Sequence, residues 1–166
     1  MNNQETLNKD KNHIGPMFDS IARRYDFLNH FLSFGIDRLW RKEAIGTIPA
    51  KYVNPRIIDV ATGTGDFAIA ASKLHPAGII AIDISENMLV IGRKKVDSLG
   101  LSDIISFQNC DSENICFDDS TFDVATVAFG VRNFSDPVRG LSEMNRVLRK
   151  GGLAVVLEFS KPDVSF

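Results

Sequence analysis

A chain of 166 residues that is 44% hydrophobic and 24% charged is long enough for one domain with a buried core, and its composition is neither fibrous nor disordered. Nineteen Lys and Arg against twenty-one Asp and Glu leave a formal net charge of −2, which removes the electrostatic argument for a nucleic-acid partner. No run of about eighteen apolar residues is available to span a bilayer, and the polar stretch from Met1 to Lys11 lacks the apolar core of a signal peptide, so a cytoplasmic protein is expected.

In chain order, residues 1–14 are polar and are expected to be disordered. Residues 15–50 are rich in aromatics, Phe18, Tyr25, Phe27, Phe31, Phe34 and Trp40 among them, and predict two or three short helices forming a lid. From residue 51 onward short β-branched runs alternate with helical patterns, the signature of βαβ units and a parallel sheet. The first strand is Arg56 to Val60, leading into Ala61-Thr62-Gly63-Thr64-Gly65. Phe67, Ala70, Ala71 and Leu74 recur at helical steps until His75-Pro76 stops them. Ile79 to Asp83 is the second strand. Ser85 caps the next helix, whose apolar side is Met88, Leu89, Ile91 and Val96, and Leu99-Gly100 ends it. Ile104 to Asn109 and Phe122 to Phe129 are the third and fourth strands, the latter almost continuously apolar as a doubly covered strand should be. Asp136-Pro137 starts a helix striped by Leu141, Met144 and Leu148, which Gly151-Gly152 close before a fifth strand from Leu153 to Leu157.

His13, His30 and His75 stand singly, and Cys110 and Cys116 have neither a second pair nor a nearby histidine. No metal site is expected, and the cysteines read as buried thiols.

Ligands of open parallel sheets bind beyond the carboxyl ends of the strands, where the Thr62-Gly63-Thr64-Gly65 turn falls. Glycine lets a ligand approach the backbone, and Asp83, 83 − 65 = 18 residues past the last loop glycine, is spaced to accept ribose hydroxyls. A dinucleotide would want a third glycine to pack helix on strand, whereas this loop continues into Phe67-Ala68. It resembles instead the G-x-G-x-G loop of class I S-adenosylmethionine-dependent methyltransferases, with Ala61 in place of the first glycine. Asp59 at the loop, Asp83 after the second strand, Asp111 after the third and Gly-Gly before the fifth occur in the matching order.

Longer strings are more specific. Phe18 to Asp26 (FDSIARRYD), LSFGIDRLWR (Leu32 to Arg41), DVATGTGD (Asp59 to Asp66), FGVRN (Phe129 to Asn133) and RVLRKGG with LEFSKP (Arg146 to Pro162) resemble the C-methyltransferases of menaquinone and ubiquinone biosynthesis. The resemblance implies a Rossmann-like, doubly wound α/β sheet, with residues 51–166 as the S-adenosylmethionine-binding core. It also implies transfer of a methyl group to a prenylated hydroquinone, demethylmenaquinol or the ubiquinone-path benzoquinol. Carried over residue by residue, it places Thr62, Gly63 and Gly65 at the methionine end of the cofactor, Asp83 at the ribose, and Asp111 and Ser112 at the adenine. Arg132 and Asn133, with Tyr25 from the lid, fall to the acceptor. Ala128, where some relatives carry a cofactor-binding serine, and Cys116, where they carry proline, depart from the pattern. A catalytically weak cofactor-binding protein, or a methyltransferase for another small molecule, is the alternative.

Class I sheets usually continue past the fifth strand into an antiparallel hairpin, which this sequence is expected to lack. The fifth strand would then be an apolar edge open to self-association. A substrate with a prenyl tail implies transient contact with the inner face of a membrane.

Overall fold

The computed structural model describes residues 36–159. Tyr25, the rest of the aromatic segment before Ile36, and the polar terminus lie outside them. The described elements are α1 (Ile36–Gly46), β1 (Arg56–Val60), α2 (Asp66–Ala71) continued by a 3₁₀ turn (Ser72–Leu74), β2 (Gly78–Asp83), α3 (Glu86–Ser98), β3 (Ile105–Asn109), β4 (Phe122–Ala128), α4 (Pro137–Val147) and β5 (Leu148–Leu157). All strand pairs are parallel, in the order β3-β2-β1-β4-β5. The chain winds outward from β1 to β3, then returns to lay β4 on the other flank of β1. That reversal opens a crevice at the carboxyl ends of β1 and β4, the position at which such sheets take ligands.

Alternation along β1 sends its side chains into two cores. Ile57 joins Phe67, Ala71, Ile79, Val96, Ile105 and Val124, with Ile45 of α1 closing that layer. Ile58 and Val60 join Ile82, Phe122, Val127, Met144 and Val147 under α4. A sheet covered on both faces requires the near-continuous apolar strands that the sequence supplies.

Helix starts follow local chemistry. The Ser85 side chain accepts from Met88 N at 3.3 Å, and the Asp136 side chain accepts from Arg139 N at 3.0 Å ahead of Pro137. Gly100, at φ +67°, follows α3 in the left-handed conformation that favours glycine.

Three expectations change. Helix α4 ends at Val147, and Leu148 already pairs with Phe122 in β5, while the next pair is Val124 with Leu153. Residues 149–152 form a bulge in which Gly151 has φ +79°, so the two glycines lie inside β5 rather than closing the helix. Leu141 is 40% exposed, and the buried stripe of α4 is Gly140, Met144 and Val147. Cys110 and Cys116 are disulfide-paired, with Cα atoms 6.2 Å apart, instead of standing as separate thiols. The physical reason is the Asp111–Asn114 bridge, which doubles the chain back so that Cys116 N donates to Cys110 Sγ at 3.0 Å.

Arg146 of α4 ties down the segment that follows. Its guanidinium donates to the carbonyls of Ile115 at 2.8 Å and Phe117 at 2.9 Å and pairs with Asp119 and Glu143. Glu143 Oε2 in turn accepts from Ile115 N at 2.8 Å, and the adjacent guanidinium holds the Glu143 carboxyl below its usual range.

Candidate functional site

The glycine loop leaves β1 through Ala61, whose φ of +51° turns the chain sharply over the strand end. Thr62 N donates to Ile82 O at 2.9 Å, and Gly63 N donates to Asp83 Oδ2 at 2.8 Å. The other Asp83 oxygen accepts from Ser85 N at 2.9 Å. One carboxylate thus binds the loop after β1 to the loop after β2, and it sits half-buried at the crevice.

The two loop glycines have different tasks. Gly63 has φ +57°, and a Cβ there would meet nothing within 4 Å, so its backbone stands open to close approach by a ligand. Gly65 has φ +85°, and a Cβ there would lie 2.7 Å from the Phe107 ring. Both this left-handed conformation and the Phe107 ring against the start of α2 favour glycine at position 65.

Under the loop lies Asp59, 1% exposed. Its oxygens accept from the hydroxyls of Thr62 at 2.5 Å and Thr126 at 2.6 Å. Burial raises its pKa from 3.8 to about 6, against the opposing pull of those two hydroxyls and of the Arg41 charge. Thr126 was not singled out in the sequence, although a threonine inside the apolar run of β4 is a signal that a buried acceptor faces it.

The raised pKa has a sign. The folded state holds the Asp59 proton more firmly than the unfolded chain, so this group's stabilising contribution is complete below about pH 4 and lost as pH rises through about 6. At about 1.4 kcal/mol per pH unit, the loss is about 3 kcal/mol. Asp59→Asn removes that titration. Urea unfolding between pH 4 and 7 is expected to show the variant gaining on the wild type by about that amount as pH rises; a pH-independent difference would contradict it.

Asp111 Oδ1 accepts from Glu113 N at 2.9 Å, closing a tight turn that carries Ser112. Glu113 is 4% exposed. Its carboxylate accepts from Ser135 N at 2.7 Å, and its carbonyl accepts from Arg139 Nε at 2.8 Å. The turn after β3 is thereby fastened to the chain entering α4.

Beyond β4, Phe129 has φ +57°, rare for a bulky side chain and a mark of backbone held by its surroundings. Its N–H donates to Leu157 O at 2.7 Å. The Phe129 ring stacks on Phe159 at 4.7 Å, and Trp40 of α1 meets Phe159 edge-on at 5.5 Å. Arg132 is about half exposed, 3.7 Å from Glu158 Oε1, with its guanidinium 5.3 Å from the Phe159 ring centre. Asn133 closes a short 3₁₀ turn, its N–H donating to Gly130 O at 2.9 Å.

The structure therefore gathers Thr62, Gly63 and Asp83 at one mouth, with Asp111 and Ser112 on the β3 side and Arg132 and Asn133 on the β4 side. Tyr25 lies outside the described residues. Among the described residues no cluster of His, Cys, Asp and Glu is placed to hold a metal ion. The open backbone at Gly63 and the half-buried carboxylate beside it fit an adenosyl cofactor.

Comparison with known proteins bears on the family and the fold. A demethylmenaquinone methyltransferase of Bacteroides fragilis is 53% identical over 157 residues, which are 93% of this chain and 63% of that protein. A ubiquinone/menaquinone biosynthesis C-methyltransferase of Geotalea uraniireducens is 49% identical over 90% of this chain and 64% of its own length. The chain thus spans just under two thirds of these relatives. Among solved structures, a SAM-dependent methyltransferase from Aquifex aeolicus shares the fold, with a TM-score of 0.65 at 23% identity over 75% of this chain and 68% of that one. The [4+2]-cyclase SpnF matches with a TM-score of 0.66 at 28% identity over 74% of this chain and 44% of that one. A profile of the ubiE/COQ5 methyltransferase family matches residues 5–166, and the chain belongs to that family.

Proposed function

We propose that this chain carries the cofactor site and part of the acceptor site of an enzyme that moves a methyl group from S-adenosylmethionine to a ring carbon of a prenylated hydroquinone. One relative is named a demethylmenaquinone methyltransferase and another a ubiquinone/menaquinone biosynthesis C-methyltransferase, and demethylmenaquinol and the ubiquinone-path benzoquinol are the acceptors we take for this chain. The observation that carries the reading is the meeting of two loops at the reversal of the sheet. A Cβ on Gly130 would lie 2.7 Å from that of Ala61, so the turn holding Arg132 and Asn133 starts against the glycine loop.

When bound, S-adenosylmethionine supplies a methyl group on a sulfonium that is already electrophilic. What remains for the protein is to bind, orient and manage charge. Asp83 takes the ribose hydroxyls, Asp111 and Ser112 the adenine side, and Thr62 with the Gly63 backbone the methionine side. An acceptor carbon becomes nucleophilic when its hydroxyl proton leaves and charge enters the ring. Arg132 stabilises that phenolate, and Asn133 positions the hydroxyl or a water that takes the proton. Arg132 is not itself the base, since a guanidinium keeps its proton below about pH 12.

The acceptor's tail resides in a bilayer, while no helix among the described residues is long and apolar enough to cross one. Transient contact with the inner membrane face follows. The outer edge of β5 has no neighbouring strand among the described residues and presents Val156, 47% exposed, which favours self-association there.

The test is product analysis. The protein is incubated with labelled S-adenosylmethionine and membranes from cells lacking the methyltransferase, and the quinol fraction is expected to gain one labelled methyl group. Cofactor binding without any labelled quinol would defeat the acceptor assignment. Equal turnover of tail-less quinols without membrane or detergent would defeat the membrane contact.

A further inference from the structure

Arg41 of α1 is 8% exposed, an uncommon place for a guanidinium. Its Nη1 lies 2.6 Å from Asp37 Oδ2, one helical turn back, and 3.9 Å from Asp66 Oδ2 at the end of the glycine loop. The same guanidinium sits 5.9 Å from the ring centre of Phe129 and pulls down the pKa of Asp59. These neighbours come from α1, from both sides of the glycine loop and from the end of β4. Arg41 therefore stands where α1 meets both ends of the glycine loop and the end of β4.

Charge in that neighbourhood is informative. Asp37, Asp59 and Asp66 bring three carboxylates, while Arg41 and Lys95, whose Nζ is 2.8 Å from Asp66 Oδ1, bring two cations. Arg38, Lys42 and Lys73 line the same cavity as Arg41, Asp66 and Lys95, so cations as well as carboxylates surround this end of the glycine loop. S-adenosylmethionine has a sulfonium, an ammonium and a carboxylate, hence one net positive charge. Its carboxylate, once taken out of water, requires a cationic partner from the protein. Lys95 has its one nitrogen between Asp66 and the Thr64 hydroxyl, 2.9 Å away, whereas Arg41 meets Asp37 and Asp66 through Nη1 and carries two further nitrogens on a guanidinium that reaches across to Phe129.

We propose that Arg41 binds the carboxylate of the cofactor's methionine end, an inference that rests on the cofactor reading above. A guanidinium suits this task because it stays charged when buried and offers parallel N–H groups that match a carboxylate. Asp37 and the Phe129 face hold the fork in a fixed orientation, so little side-chain freedom is lost when the ligand arrives. The competing role is a strut that merely fastens α1 to the core.

S-adenosylmethionine and its decarboxylated analogue, which lacks only that carboxylate, separate the two roles. Both are titrated by calorimetry into the wild-type, Arg41→Gln and Arg41→Lys proteins. The wild type is expected to prefer the intact cofactor by at least about tenfold, the value of one charge-assisted pair. In Arg41→Gln that preference is expected to fall to within about twofold while affinity for the analogue holds, because only one ligand loses a partner. Equal losses for both ligands, with the preference intact, would make Arg41 a strut and overturn the proposal. If Arg41→Gln does not fold, Arg41→Lys decides: it keeps the charge but loses the fork, so the preference should shrink at least about threefold, and no change overturns the proposal. A wild type that binds neither ligand defeats the cofactor reading itself and this inference with it.

Discussion

Replacing Asp83 with alanine is expected to weaken S-adenosylmethionine binding at least about tenfold, since each charge-assisted hydrogen bond lost contributes about 1.5–3 kcal/mol. The carboxylate has two duties. It is the ribose acceptor of the proposed site, and it accepts from Gly63 N at 2.8 Å and Ser85 N at 2.9 Å. Alanine removes both, so the glycine loop loses its brace as the ligand loses its partner. Asp83→Asn keeps one oxygen for a backbone amide and gives up the charge, and an intermediate affinity is expected. Calorimetry on the two variants checks this; unchanged affinity in Asp83→Ala would remove Asp83 from the cofactor site.

The other large effect falls on chemistry. Arg132→Ala is expected to lower methyl transfer about a hundredfold, the usual loss when one donor to a developing oxyanion is removed. Cofactor affinity should stay within about twofold of normal, because Arg132 stands on the β4 side of the crevice and acts on the acceptor. Its present neighbours are Glu158 at 3.7 Å and the Phe159 ring at 5.3 Å. An ion pair that is half exposed contributes little to stability, so alanine should leave the melting temperature almost unmoved. Turnover with a prenylated quinol at saturating cofactor measures this. Normal turnover with weakened cofactor binding would show that the residue belongs to the other ligand.

Local chemistry explains which elements were legible in the amino-acid sequence. Arg56–Val60 matches its expected strand at both ends, and Ser85 and Asp136 cap as expected, because a cap depends on residues within one turn. The position of Asp83 at the end of β2 was legible through spacing, since strand, loop and helix lengths fix it. Long-range pairing was not legible. Leu148 continues the apolar stripe of α4 on paper, yet Phe122 draws it into the sheet and the extra residues loop out as a bulge. The same holds for the Cys110–Cys116 pair, which depends on a turn between them. Arg41 escaped notice for a different reason. An Asp and an Arg four residues apart read as an ordinary surface pair of a helix, and only the burial against Phe129 and Asp66 sets this one apart.

Arg146 joins an irregular segment to a helix, and this bears on how the domain breathes. With the carbonyls of Ile115 and Phe117 held by that guanidinium and Ile115 N held by Glu143, the segment opens only when α4 opens. Its amide protons should therefore exchange on the slow timescale of the helix despite the absence of regular structure. Glu113, bonded to Ser135 and Arg139, extends that cooperative unit back to the turn bearing Asp111 and Ser112. The adenine side of the proposed cleft is thus ordered before any ligand arrives, and binding there carries little of the entropic cost of organising a loop.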